Sequence, residues 1–282
     1  MNYKKLIIKV IKYIIRYGIP VYLEKFKNIN IDYLNINIDN DDKFLIFINK
    51  IIKAYHKHSF IRLQYNNLQS NVVINKSTKF NYKNKIGKIT LYSYDTFSES
   101  TNNIKQYTKN IIEFLNLHEN EFNGLIIDFR KHSGGNMWPL IDAFERFFNN
   151  TTLFAWENKK IKFNEKKWCN LINGNFKCNQ SYINNDIKTL YPIAIIIGKK
   201  TGSAGEFVAS CFLNSKKVKL FGEKSAGFLS VNNTFTVNKF VLNLTTKLQT
   251  SKNGKFCEFI EPDMYTTKPI LEANKWIKHF DQ

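Results

Sequence analysis

Arginine is nearly missing from this 282-residue chain: only four of its 42 basic residues are arginine, at Arg16, Arg62, Arg130 and Arg146. The formal net charge of +19 would suit a polyanion. Specific base contacts, however, come mostly from the planar guanidinium fork. The lysines are also scattered in pairs (Lys4-Lys5, Lys159-Lys160, Lys166-Lys167, Lys199-Lys200, Lys216-Lys217) and make no single stripe. A chain rich in Lys, Asn, Ile, Phe and Tyr is what an AT-rich genome produces without selection for binding. No specific nucleic-acid partner is expected, and non-specific attraction to polyanions is what remains.

Cysteine is scarce too, with four in the chain, too few for a disulfide scaffold. Cys211 falls inside an apolar helical pattern and reads as a core residue. Cys169 and Cys178 flank "NLINGNFK" and could close a hairpin, with reduced thiols as the default expectation. Neither has a histidine or further cysteine beside it, so no zinc site is expected, and no cofactor of any other kind.

Long apolar runs are absent from the N-terminal stretch "MNYKKLIIKVIKYIIRYGIP". Lys9, Lys12 and Arg16 interrupt every candidate, which excludes a signal-peptide core and a transmembrane span there and makes the cytoplasm the expected location. Ile7, Ile8, Ile11, Ile14 and Ile15 recur at helical spacing, leaving the cations opposite. This amphipathic helix is expected to dock on the protein's own core, with contact to a membrane surface as the alternative.

There is no internal repeat and no long Gly/Ser/Pro linker. Hydrophobic residues at 43% and aromatics at 15% allow a substantial core. Residues 1–59 read as a small helical domain, ending in "DDKFLIFINKIIKAYHK" with Asp41 and Asp42 near the start of its last helix. From Phe60 the pattern changes to "FIRLQYN" and "IGKITLYSY" as strands, followed by a helix with Ile104, Tyr107, Ile111, Ile112 and Leu115 on one face. A buried strand "GLIIDF", a helix over about 135–148 and a strand "LFAW" come next. Residues 156–187 form a polar surface insertion. Then follow "YPIAIIIG", a helix beginning near Ser203, "KVKLFGE", and two strands turning at Asn238-Lys239. Alternating strands and helices predict an α/β core over 60–282.

Ser203 lies in "KKTGSAGEFVAS", just after a buried strand and at the first turn of a helix. Unpaired backbone N–H groups and the positive end of the helix dipole would suit an oxyanion there. The same residue could be a plain helix cap, with Glu206 completing a capping box. The nucleophile-elbow pattern G-x-S-x-G fails, because Thr201 takes its first glycine position. In "GLIIDFRKHSGGNMWPL", Gly134-Gly135 between strand and helix would let backbone amides approach a ligand, or simply make a turn. A serine nucleophile needs a base, and the chain has five histidines. With His279 in the tail and His118 in a polar loop, His56, His58 and His132 remain.

Five segments in order resemble the tail-specific, or C-terminal-processing, serine peptidases, a family that includes the tricorn protease core and the interphotoreceptor retinoid-binding protein repeats. "HKHSF" (His56–Phe60) is similar to the family's D-G-H-S-F element, and "DFRKHSGG" (Asp128–Gly135) to its D-L-R-x-N-x-G-G. "TGSAGE" (Thr201–Glu206), "GEKSAG" (Gly222–Gly227) and "IEPD" (Ile260–Asp263) match the three later elements, so the resemblance runs from about residue 50 to 265. It implies a crotonase/Clp-protease-like core and a peptidase acting on extended or C-terminal peptide segments. It implies Ser203 as nucleophile, with an oxyanion hole from the Ala204 N–H and that of Gly134 or Gly135.

The dyad branch of that family places a lysine where this chain has Phe228, and Lys224 comes four residues early. The tricorn-like branch uses a histidine that maps to His58. Its orienting partner would be Glu261, or Glu258, with Ser59 as a hydroxyl alternative. The Asn of the family's R-x-N position is His132 here, which could support the turn or compete with His58 as acid–base group. The acidic-glycine step before the histidine is His56-Lys57. These departures leave a second reading open, a catalytically impaired peptidase fold that binds a peptide or other ligand. No PDZ domain fits between His58 and Ile86, so substrate selection falls to the groove itself.

Overall fold

The computed structural model describes residues 2–27, 37–64, 78–93, 101–158, 168–183, 185–213, 215–250 and 258–280. Residues 65–67 of the expected strand "FIRLQYN" and residues 159–167 of the expected insertion lie outside this set. In chain order the elements are α1 (Tyr3–Tyr17), α2 (Pro20–Lys27), α3 (Asp41–Tyr55), β1 (Phe60–Leu63), β2 (Lys79–Lys83), β3 (Ile86–Tyr92) and α4 (Thr101–His118). They continue with β4 (Gly124–Lys131), α5 (Trp138–Ala143), α6 (Glu145–Phe148), β5 (Thr151–Asn158), β6 (Trp168–Ile172), β7 (Asn175–Gln180) and β8 (Ile193–Ile197). The last are α7 (Ala204–Cys211), β9 (Val218–Gly222), β10 (Ser230–Val237), β11 (Phe240–Thr250), β12 (Met264–Tyr265) and α8 (Pro269–Lys278).

The chain divides into two compact units. The first comprises residues 1–68, 156–166 and 230–249. In it α1 turns Leu6, Ile7, Val10 and Ile14 inward, and α3 adds Phe44, Ile48, Ile51 and Ile52 to the same core. The Asn40 side chain caps α3 by accepting from Lys43 N at 2.9 Å. The unit is not helical alone. β1 pairs antiparallel with β11, Phe60 opposite Asn243, and β11 forms a hairpin with β10 through Asn238, whose φ is 55°. Phe240, Leu242 and Leu244 of β11 complete the core.

The second unit holds the expected α/β core: a six-stranded sheet in the order β12-β9-β8-β4-β3-β2. β12, β9, β8, β4 and β3 are mutually parallel, and β2 closes the edge antiparallel to β3. Strands covered on both faces read as continuous apolar runs, and all five residues of β8 are buried. Each buried isoleucine contributes roughly 2–3 kcal/mol. β4 and β8 are neighbours, so the turns after them, 132–137 and 198–203, leave the same end of the sheet. In open α/β sheets that carboxyl end is where ligands bind.

A three-stranded antiparallel meander, residues 151–155 of β5 with β6 and β7, belongs to this unit as well. Its β6–β7 turn uses Asn173 and Gly174, both at positive φ. Here the expected reduced thiols are corrected: Cys169 and Cys178 are bridged across the hairpin, nine residues apart in sequence. Adjacent strands bring their Cα atoms to 4.0 Å, a closeness that two cysteines merely flanking a polar octapeptide do not announce. Cys211 is buried in α7 outside any disulfide, its thiol donating to Phe207 O. Among the described residues no helix is long and apolar enough to cross a membrane.

Candidate functional site

Ser203 stands between β8 and α7 with φ 49° and ψ −116°. A non-glycine residue held there stores about 1–3 kcal/mol of backbone strain, so the surroundings must hold it. They do so chiefly through Glu206, which is fully buried. One of its oxygens accepts from Ser203 N at 2.9 Å and from Phe228 N at 2.7 Å. The other accepts from Ser225 Oγ at 2.5 Å and Gly227 N at 2.7 Å. Burial pushes the Glu206 carboxyl pKa upward, and these four donors work against that rise. The expected Glu206 arm of a capping box is therefore formed, and the same carboxylate also binds the 225–228 loop.

Thr201, fully buried, ties the start of this turn to β4. Its Oγ1 donates to Phe129 O at 3.1 Å and accepts from Gly198 N at 3.0 Å, while its carbonyl accepts from Ala226 N at 2.8 Å. Gly202 N donates to His132 O at 3.1 Å. Ser225 in turn accepts from Ile260 N at 2.7 Å and donates its own N–H to Ile260 O, and Asp263 Oδ2 accepts from Leu220 N. Four of the five segments singled out in the sequence, 128–135, 201–206, 222–227 and 260–263, are thus knitted together within the second unit.

The glycine turn lies directly against Ser203. Gly134 and Gly135 have φ of 142° and 119°, open to glycine and strained for other residues. A methyl group added at Gly134 would stand 3.2 Å from Ser203 Cβ and 3.7 Å from its Oγ. Ser133 N donates to Ser93 Oγ, fixing the turn to the end of β3. Among the described residues, the N–H groups of Gly134, Gly135 and Ala204 have no acceptor. Asp128, expected only as part of a motif, is buried and accepts from the half-exposed Arg130 through Nε at 2.9 Å and Nη2 at 2.7 Å.

His132 is fully buried, and neither ring nitrogen has a hydrogen-bond partner among the described residues. A Cβ at Gly205 would come within 2.9 Å of its Nδ1, so the imidazole packs beneath the first turn of α7. Burial pushes its pKa down to about 4. Its surroundings are those of a supporting residue under the turn.

His58 and Ser59 belong to the first unit. His58 is half-buried, and its Nδ1 lies 2.8 Å from Ser230 Oγ. Burial is the main cause that lowers its pKa to about 4, His56 adds to the fall, and the Ser230 hydrogen bond opposes it. The ring is therefore neutral at neutral pH, the state in which an imidazole can accept a proton. Ser59 Oγ accepts from Thr245 N at 2.9 Å and anchors β11. Glu261 is exposed, with its carboxylate 3.8 Å from Lys224 Nζ. Glu258 is half-buried, and its carbonyl accepts from Leu229 N. The group found at His58 Nδ1 is thus Ser230, which no motif flagged; the visible signal was only a serine at the start of a strand. Lys224 Nζ sits over the Phe259 ring, 3.1 Å from its centroid.

Residues 85–266 match the family model of peptidase family S41. The chain is 31% identical over 254 residues to the nisin-resistance protein of Lactococcus lactis subsp. lactis, covering 86% of this chain and 76% of that protein. It is 23% identical over 209 residues to the carboxy-terminal-processing protease of Bartonella bacilliformis, covering 71% of this chain and 43% of that protein. In fold it is similar to a lipoprotein from Streptococcus agalactiae, with a TM-score of 0.76 and 23% identity over 99% of this chain and 96% of that one.

Proposed function

The chain belongs to peptidase family S41, and from that premise we propose that it hydrolyses peptide bonds through an acyl-enzyme formed on Ser203. The observation that carries this is the Ser203 turn itself: a strained serine, its N–H fixed by a buried carboxylate, with Gly134 packed on its Cβ. Ser203 Oγ attacks the scissile carbonyl and His58 takes its proton. The carbonyl oxygen, now an anion, is held by the N–H of Ala204 and that of Gly134 or Gly135. His58 then returns the proton to the leaving amine, and water, deprotonated by the same ring, releases the acyl group. Ser230 orients the His58 ring, the role assigned to Glu261, Glu258 or Ser59 on sequence grounds. The exposed Glu261, close to Lys224, favours this choice. His132 supports the turn from below.

The substrate is an extended or C-terminal peptide segment. The name of the Lactococcus relative makes nisin the first peptide to try. The disulfide favours an oxidising compartment over the cytoplasm expected from the N-terminal stretch, and the likeness to a lipoprotein points the same way.

Incubation of the purified chain with nisin and with an unstructured peptide, read by mass spectrometry, tests the proposal. Cleavage should vanish in Ser203→Ala and His58→Ala and persist in Lys224→Ala. Loss in Lys224→Ala with retention in His58→Ala would assign the base to lysine instead. Peptide binding without cleavage by the unaltered chain would favour the impaired, ligand-binding reading that the His56-Lys57 and His132 positions raised.

A further inference from the structure

The backbone of His58 meets a cluster of polar side chains from α3's C-terminal end and the β10–β11 hairpin, all inside the first unit. Asn232 Nδ2 donates to His58 O at 2.8 Å, which turns the Asn232 oxygen toward Thr245. Thr245 Oγ1 gives its single proton to that oxygen at 2.7 Å. It therefore presents only lone pairs to His56 Nδ1, 3.0 Å away. His58 N also faces His56 Nδ1, at 3.2 Å. A bare Nδ1 would accept from His58 N but would leave two acceptors facing each other elsewhere in the chain of bonds. A protonated Nδ1 satisfies the three shorter contacts and gives up only the longest. Burial makes that difference count, because His56 and Thr245 are both buried.

The hairpin register explains why these groups converge. Asn232 lies opposite Thr245, next to a bulge between Val231 and Asn232. Such a bulge re-aims side chains, and here Ser230 reaches the His58 ring while Asn232 reaches its carbonyl. Thr245 is itself pinned through its backbone, by Ser59 Oγ at its N–H and by Tyr55 OH at its carbonyl.

We propose that His56, Thr245 and Asn232 are positioning residues for the reaction, a one-way chain of hydrogen bonds that holds the backbone of His58 while Ser230 sets its ring. The inference rests on the reading of His58 as the base. It also gives a role to His56, a departure from the family pattern.

The test compares Thr245→Val, which breaks the chain, with Thr245→Ser, which keeps the hydroxyl. A base displaced by a fraction of an ångström to 1 Å costs about 10- to 100-fold in rate. Thr245→Val should lose that much kcat at nearly unchanged KM, and the rate of fluorophosphonate labelling should fall by the same factor. Thr245→Ser should recover most of both. Asn232→Asp keeps the shape but sets a carboxylate oxygen against His58 O. It should lose kcat similarly, and it carries the test if Thr245→Val does not fold. Wild-type kcat in folded Thr245→Val and Asn232→Asp, beside an inactive His58→Ala, would overturn the positioning role alone. Equal losses in Thr245→Ser and Thr245→Val would overturn it too, reducing Thr245 to packing. A fully active His58→Ala would instead sink the base assignment on which the inference stands.

Discussion

Replacing Glu206 with glutamine keeps the side chain's shape and removes two of its four lone-pair acceptor positions. Each carboxylate oxygen serves two donors: Ser203 N and Phe228 N at one, Ser225 Oγ and Gly227 N at the other. The amide nitrogen must face one pair. Facing Ser203 and Phe228 it strands two backbone N–H groups. Facing Ser225 and Gly227 it strands one backbone N–H, that of Gly227, because the Ser225 hydroxyl can turn to accept and aim its proton elsewhere. The second orientation therefore wins, at about 1–3 kcal/mol for one buried N–H, plus the weakening of bonds that were charge-assisted. Relief of the buried charge offsets part of this, as the upward shift of the Glu206 pKa indicates. A net loss of about 2 kcal/mol remains, which lowers the melting temperature of a chain this size by about 4–8 °C. Thermal unfolding followed by circular dichroism reads the first effect, and the rate of serine labelling reads the loosened Ser203 turn. A variant that melts within about 1 °C of the unaltered protein and labels at the same rate would refute the reasoning.

Three further outcomes follow from the same geometry. His132, with a pKa near 4 against about 6.5 when unfolded, favours its neutral form in the fold. Its contribution of about 3 kcal/mol is complete above pH 6.5 and is lost as pH falls toward 4. His58 behaves alike, and Glu206, pushed upward, opposes both, so His132→Asn should lower the pH slope of urea stability in that window, and an unchanged slope would count against burial as the cause. Reducing the Cys169–Cys178 bridge, or replacing both residues with serine, should cost about 2–3 kcal/mol for a loop this short; identical urea midpoints with and without reductant would contradict that. Ser230→Ala should slow turnover about fivefold, the worth of one hydrogen bond near 1 kcal/mol, whereas Glu261→Ala should leave it unchanged; the reverse pattern would return the orienting role to Glu261.

Much of the second unit could be read before the structure, because its strands are continuous apolar runs and its motifs follow strand ends. β4, β8 and β9 fall where "GLIIDF", "YPIAIIIG" and "KVKLFGE" predicted strands. The helix expected over 135–148 instead begins at Trp138 and breaks at Phe144, because Gly134 and Gly135 hold positive φ and Phe144 sits at φ −104° and ψ 14°. β2 escaped notice because its residues are exposed or half-exposed, leaving no apolar stripe. Its Asn84-Lys85 turn, with both φ positive, was the available clue. Non-local pairing was the hardest part to see. Nothing near Phe60 announces Asn243 as its partner, nor does anything near His58 announce Ser230. Around Ser203 the local half was legible, namely Glu206 three residues on. The loop at 225–228 that shares the carboxylate was visible only as a separate motif.

The central claim is that Ser203 is a nucleophile, and covalent capture tests it most directly. After reaction with a fluorophosphonate, tryptic mapping should find one adduct, on the peptide that contains Ser203, and none in Ser203→Ala. Equal labelling of Ser203→Ala, or an adduct on another residue, would contradict the account.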